Sequence, residues 1–141
     1  MIKAYVDGTF YQGKWGGGYV IFDNDKILFQ DCGIGINKPE LNSMRNISGE
    51  MSAAMHATSW IYKNKKKGII VHDYTGLSKS VTGEWNTSRQ YTEIYKNFML
   101  PYYQNGIIKF EWVKGHTNNL GNEIADRLAK ESIIHNKKWK F

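Results

Sequence analysis

The spacing of apolar positions changes character several times along the chain, and each change marks an element. Residues 2–7 alternate weakly between apolar and polar, which predicts a strand. Glycines at 8, 13, 16, 17 and 18 then predict a turn and a hairpin in which another backbone comes close. Residues 19–22 predict a second strand, 23–25 a turn and 26–32 a third strand, followed by an irregular link over 33–46. From residue 48 the period becomes helical. Met51, Ala54, Met55, Thr58, Ile61 and Tyr62 share one face, Ser48 is placed to cap the start, and the lysines of 63–67 suit the negative end of the helix dipole. The β-branched run 69–71 predicts a buried strand that Asp73 closes. A short helix over 75–82, a loop over 83–88, a helix over 89–103, a strand over 107–113 and a last helix over 120–134 complete the pattern. The order βββ-α-β-α-α-β-α predicts an α/β fold. A three-strand meander and two crossover units build a mixed five-stranded sheet, with helices on both faces.

At 141 residues the chain is the size of one domain, taken here as 1–141, and no internal repeat or linker divides it. No apolar run approaches the roughly 18 residues of a membrane span, and the N-terminal residues carry no secretory pattern. Cys32 is the one cysteine, so an internal disulfide and a cysteine zinc site are excluded and a cytoplasmic setting is expected. Charge narrows the partners. Nineteen Lys and Arg against thirteen Asp and Glu give +6, which suits either a solvated surface or a polyanion such as nucleic acid. Charge alone does not choose between them.

Four carboxylates fall where the elements could bring them together. Asp7 closes the first predicted strand and Asp73 the fourth, and ligand sites of open α/β sheets lie beyond the carboxyl ends of the parallel strands. Glu50 lies in the first turn of the first helix, beside Gly49 and near Ala53 and Ala54. Asp126 lies on the last helix between Ala125 and Ala129, which allow a close approach to the sheet. Taken singly, each is an ordinary turn, cap or surface residue. Converging, they would repel until a cation relieved them, and oxygen donors suit magnesium, or manganese. A pair of such ions is the usual clamp for phosphoryl displacement. His116, in a polar loop before the acidic helix, is placed to carry a proton. Gly8, Gly13 and Lys14 have the spacing of a phosphate-binding loop, but Trp15 replaces the required Ser or Thr and no helix follows.

These residues carry a family resemblance. Tyr5-Val6-Asp7-Gly8-Thr9, Gly49-Glu50-Met51-Ser52-Ala53-Ala54, Val71-His72-Asp73-Tyr74, and His116 with Gly121-Asn122-Glu123-Ile124-Ala125-Asp126-Arg127-Leu128-Ala129 resemble, in order, the four motifs of type 1 ribonuclease H. The resemblance spans residues 2–131. It implies the ribonuclease H-like fold and an endonuclease, acting as a monomer, that cuts the RNA strand of RNA–DNA hybrids to leave 5′-phosphate and 3′-hydroxyl ends. It further implies two Mg2+ ions per site, with Mn2+ as a substitute. By motif, Asp7 bridges both ions, Glu50 and Asp73 complete the leaving-group side, Asp126 holds the ion that activates water, and His116 assists proton handling. Gly8, Asn46, Thr75, Trp85, Ser88 and Thr117 are the implied nucleic-acid contacts. Tyr74 stands where many members have Ser. With Thr82-Gly83-Glu84-Trp85 it resembles a bacterial subgroup whose members often carry an N-terminal hybrid-binding domain. Neither that domain nor the basic helix of some members is found here, and the lysines of 63–67 or 137–140 are candidate substitutes. The alternatives are a catalytically weak hybrid-binding module, or a nuclease of the same fold with another nucleic-acid substrate.

Overall fold

The computed structural model describes residues 1–87, 89–115 and 119–140. Its elements run β1 (Ile2–Tyr11), β2 (Lys14–Asp23), β3 (Lys26–Ile34), α1 (Pro39–Met44), α2 (Asn46–Lys63), β4 (Gly68–His72), α3 (Gly76–Thr82), α4 (Gln90–Gln104), β5 (Ile108–Trp112) and α5 (Leu120–Ile134). The strands form one sheet in the order β3-β2-β1-β4-β5. The first three are antiparallel, and β1, β4 and β5 are parallel. This is the mixed five-stranded sheet the pattern predicts. No helix of the described residues is long and apolar enough to cross a membrane.

Three boundaries differ from expectation. The glycine run does not end β1. The strand continues to Tyr11, and the reversal falls on Gln12 and Gly13, whose positive φ angles of 50° and 75° give a two-residue turn matching the twist of the strands. Asp7 therefore sits inside β1 rather than at its end. The link after β3 holds a helix, α1, too short to show a period. And Ser48 is not the cap of α2. The helix starts two residues earlier after Arg45, while Ser48 is buried and its hydroxyl donates to the Leu41 carbonyl at 2.8 Å.

Two cores clamp the sheet. On one face Ala4, Val6, Tyr19, Ile21 and Ile70 meet Met51, Ala53, Ala54, Ala57 and Ile61 of α2 and Tyr95 and Met99 of α4. On the other, Val20, Phe22 and Cys32 meet Leu128 of α5, flanked by Tyr5 and Ile124. The glycines of β2 alternate between the two helices. A Cβ on Gly17 would lie 2.2 Å from the Gly49 carbonyl oxygen of α2, whereas one on Gly16 would lie 2.1 Å from Ser132 Oγ and one on Gly18 2.7 Å from the Ala129 nitrogen, both on α5. Bare backbone is what lets both helices sit flush on the same strand.

Candidate metal centre and adjoining groove

The parallel ladder between β1 and β4 ends at Tyr5 and Val71. Asp7 and Asp73 each lie two residues further on, at the same level just past the point where that ladder opens, with Asp7 still paired to β2. Asp7 lies opposite Gly18 in β2, and its Oδ1 accepts a 2.9 Å hydrogen bond from the Gly8 N–H. Glu50 reaches it from α2. A Cβ on Gly8 would lie 2.0 Å from the Asn46 carbonyl oxygen, and one on Gly49 would lie 1.9 Å from that of Gly16. The first turns of α2 therefore press on β1 and β2 where any side chain would hold them apart. Glu50 ends up 3% exposed, and its Oε1 accepts a long 3.4 Å bond from the Asp73 N–H.

Asp7, Glu50 and Asp73 each place one carboxylate oxygen so that all three lie within 4.8 Å of one another. The Asp126 side chain, carried by α5, faces Asp7 closely enough to raise its proton affinity. Its Oδ2 also pairs with Lys130 Nζ at 3.0 Å, one helical turn along. Three of the four expected carboxylates thus converge, and the fourth, Asp126, acts on Asp7 from α5. Burial pushes the Asp7 carboxyl up to about 8, with Asp73 and Asp126 adding to the shift and the Gly8 N–H opposing it. Burial likewise holds Glu50 well above the usual carboxylate range, with further contributions from Asp73 and Asp7. Crowded, half-dry carboxylates of this kind retain protons or take a cation. The donors are all hard oxygens, so the set fits magnesium or manganese and offers nothing to a soft metal.

The Asp73 turn is tied on several sides. Trp112 Nε1 donates to the Asp73 carbonyl at 2.9 Å, and the Val113 N–H donates to the His72 carbonyl at 2.8 Å. His72, fully buried, has Nδ1 2.9 Å from the Tyr74 carbonyl oxygen. These ties cross between elements, and no local pattern announces them.

Beside the carboxylates runs a groove of about 410 Å³, lined among others by Arg45, Asn46, Tyr74, Trp85, Thr87 and Arg89. Trp85 is 41% exposed, meets Tyr74 edge-on at 6.2 Å, and has Lys79 Nζ 5.7 Å from its ring centre. Two expected contacts, Asn46 and Trp85, line this groove, and Gly8 lies under Asn46. Thr75 is not among its lining residues; it precedes α3 and its carbonyl accepts from Ser78 Oγ. His116, Thr117 and Ser88 lie outside the described residues. Gly115, the last described residue before His116, approaches Asp73: a Cβ there would lie 3.5 Å from Asp73 Oδ2. Sequence reasoning missed Arg45 and Arg89, which stand at the starts of α2 and α4 and give the groove its charge.

The family model RNase H matches residues 1–134. The chain is similar to the Ribonuclease H of Wigglesworthia glossinidia brevipalpis, at 28% identity over 142 residues, 93% of this chain and 87% of that protein. Its fold is similar to the crystal structure of RNase H1 from the halophilic archaeon Halobacterium salinarum, with a TM-score of 0.77, 20% identity, and coverage of 95% of this chain and 98% of that one. It is similar again to LC11-RNase H1 in complex with RNA/DNA hybrid, with a TM-score of 0.73, 13% identity, and coverage of 94% and 99%.

Proposed function

The chain belongs to the RNase H family, and on that premise we propose that it is an endonuclease that hydrolyses the RNA strand of RNA–DNA hybrids, leaving 5′-phosphate and 3′-hydroxyl ends. The observation that carries this reading is the meeting of Asp7, Glu50 and Asp73 within 4.8 Å, with Asp126 acting on Asp7 from α5. Asp7 and Glu50 are buried, and burial and the charges beside them raise their proton affinity, which a bound cation would relieve. Asp7, Glu50, Asp73 and Asp126 would hold a pair of magnesium ions, with Glu50 and Asp73 serving the leaving-group side and Asp126 the attacking water. Bound there, divalent cations would polarise the phosphodiester and acidify that water.

The residues themselves supply order. Glu50 is fixed by burial and by the Asp73 N–H, and Asp73 by the Trp112 and His72 ties to its turn. Asp7, whose carboxyl is raised to about 8 chiefly by burial, would give up its proton to a bound cation, so loading the site would release protons. His116 would carry a proton to or from the reacting oxygens.

Specificity follows from the two sides of the site. The groove offers Arg45 and Arg89 for phosphates and Tyr74 and Trp85 for stacking, which suits the DNA strand. Backbone groups near Gly8 and Glu50 would meet the ribose 2′-hydroxyls that distinguish RNA from DNA. The LC11 enzyme of the same fold holds such a hybrid, in support of the reading.

The test is end-labelled RNA, annealed to DNA or to RNA, incubated with the protein and magnesium or manganese. Cleavage of the hybrid alone, lost in Asp7→Asn, is expected. An intact hybrid, or equal cutting of RNA duplexes, would overturn the proposal.

A further inference from the structure

The family match ends at residue 134, where α5 ends, yet the chain that follows is firmly held. Asn136 takes a positive φ of 49° and turns the chain, and the Lys137 N–H donates to the Ser132 carbonyl at 2.9 Å. The Ile34 N–H then donates to the Lys137 carbonyl at 2.8 Å, and the Lys140 N–H donates to Asp31 Oδ2 at 2.9 Å. Residues 137–140 thus run back along the free edge of β3, from the level of Ile34 to that of Asp31. Trp139 pins them. Its ring stacks on Tyr19 at 6.0 Å and on His56 at 4.2 Å, over the bare backbone of Gly33, where a Cβ would lie 2.5 Å from the indole.

This packing leaves Lys137, Lys138 and Lys140 exposed on a fixed backbone. Two acids lie among them: Asp31 accepts the Lys140 N–H, and Glu131 pairs with Arg127 at 3.9 Å, so the three lysines still leave the strip net positive. Lys137 and Lys140 both lie close enough to Cys32 to act on its thiol. Cys32 lies opposite Gly18, and Gly18 opposite Asp7, so β3 is two strand spacings from the central carboxylate and the strip on its outer edge a third, about 14 Å in all. At ~3.4 Å per nucleotide that is about four steps along a nucleic-acid strand. The lysines of 63–67, by contrast, precede β4 beside Ile2, at the end of the sheet away from Asp73.

We propose that residues 135–140 form a fixed basic strap that grips the nucleic-acid backbone on the β3 side of the site, extending the footprint beyond the groove. A run of lysines is usually only solvated. What distinguishes this one is that the fold has already met the ordering cost that a loose tail would meet on binding. The inference rests on the hybrid-cleaving reading given above.

The test is the triple variant Lys137→Gln, Lys138→Gln, Lys140→Gln, which leaves Trp139 in place. Hybrid cleavage is followed from 50 to 200 mM salt. The slope of log KM against log salt is expected to fall by about 2–3, since each neutralised phosphate contributes ~0.9, with kcat unchanged. Trp139→Ala, which frees the strap but keeps its lysines, is expected to raise KM several-fold. A wild-type slope and KM in the triple variant overturn the strap, and a wild-type KM in Trp139→Ala overturns the need for its docking. Equilibrium binding of the same hybrid in EDTA measures the strap without turnover. An uncut hybrid whose binding still loses that slope in the triple variant would sink the proposed activity and leave the strap standing.

Discussion

Asp7→Asn removes a charge while keeping the shape of the side chain, and the amide oxygen can still accept the Gly8 N–H. In the folded chain the Asp7 carboxyl titrates near 8 instead of 3.8, chiefly through burial and the neighbouring Asp73. A raised carboxyl value means that the folded state holds a proton the unfolded state has lost. Stability therefore falls as pH rises from about 4, by ~1.4 kcal/mol per unit, until the folded group itself ionises near 8. The penalty is about 2 kcal/mol at pH 5 and about 4 kcal/mol at pH 7. Asp7 is only 9% exposed, so solvent screening takes little from these values. Urea unfolding in EDTA at pH 5, 6, 7 and 8 should show the variant more stable than wild type. The gap should widen by ~1.4 kcal/mol per unit and level off near pH 8. Magnesium should narrow it, because the ion stabilises the wild type by binding to its folded form. Turnover should vanish although the fold is firmer. A gap that is absent at pH 7, reversed, or constant with pH would refute the electrostatic account of the site.

Gly49→Ala puts a methyl group 1.9 Å from the Gly16 carbonyl oxygen, where backbone meets backbone and cannot yield; a loss of about 3 kcal/mol or more by urea unfolding is expected, with turnover lost because Glu50 rides on the same turn. Trp112→Phe keeps a ring but deletes the donor to the Asp73 carbonyl, so stability should fall by only ~1 kcal/mol while the magnesium concentration for half-maximal activity rises several-fold. His116→Ala should slow turnover and flatten its pH dependence with magnesium binding retained, and an unchanged pH–rate profile would remove the proposed proton role.

Which parts of this molecule can be read from its sequence follows from what each part is made of. The order of strands and helices is carried by repeated apolar positions, and it matches because both cores use them: Ala4 and Val6 under α2, Val20 and Phe22 under Leu128 of α5. The pattern fails where a side chain is missing or unrepeated. Glycines carry no alternation, so β1 seems to stop at Gly8, although those residues stay in the ladder to Tyr11 and exist to be lain upon. The six residues of α1 are too few to show a period, and with that helix unseen, Ser48 looks like a first cap rather than a buried donor to Leu41.

The site divides along the same line. Its four carboxylates are legible because each sits in a run of distinctive neighbours, and small residues beside them signal close packing. Their supports are not legible, since nothing local distinguishes the Trp112 that reaches Asp73 from any other exposed tryptophan. The arginines of the groove and the Trp139 of the strap are equally silent, because each acquires meaning only from a partner brought near by the fold. The chemistry of the centre is thus encoded by residue type, and its precision by backbone contact. Gly8, Gly16, Gly17 and Gly49 are where the two meet: removing side chains from the helix–sheet contact is what lets Glu50 be buried against Asp7 at all. A bulkier contact would push α2 outward, rehydrate the carboxylates and lower their proton affinity, and with it the demand for a cation at this end of the sheet.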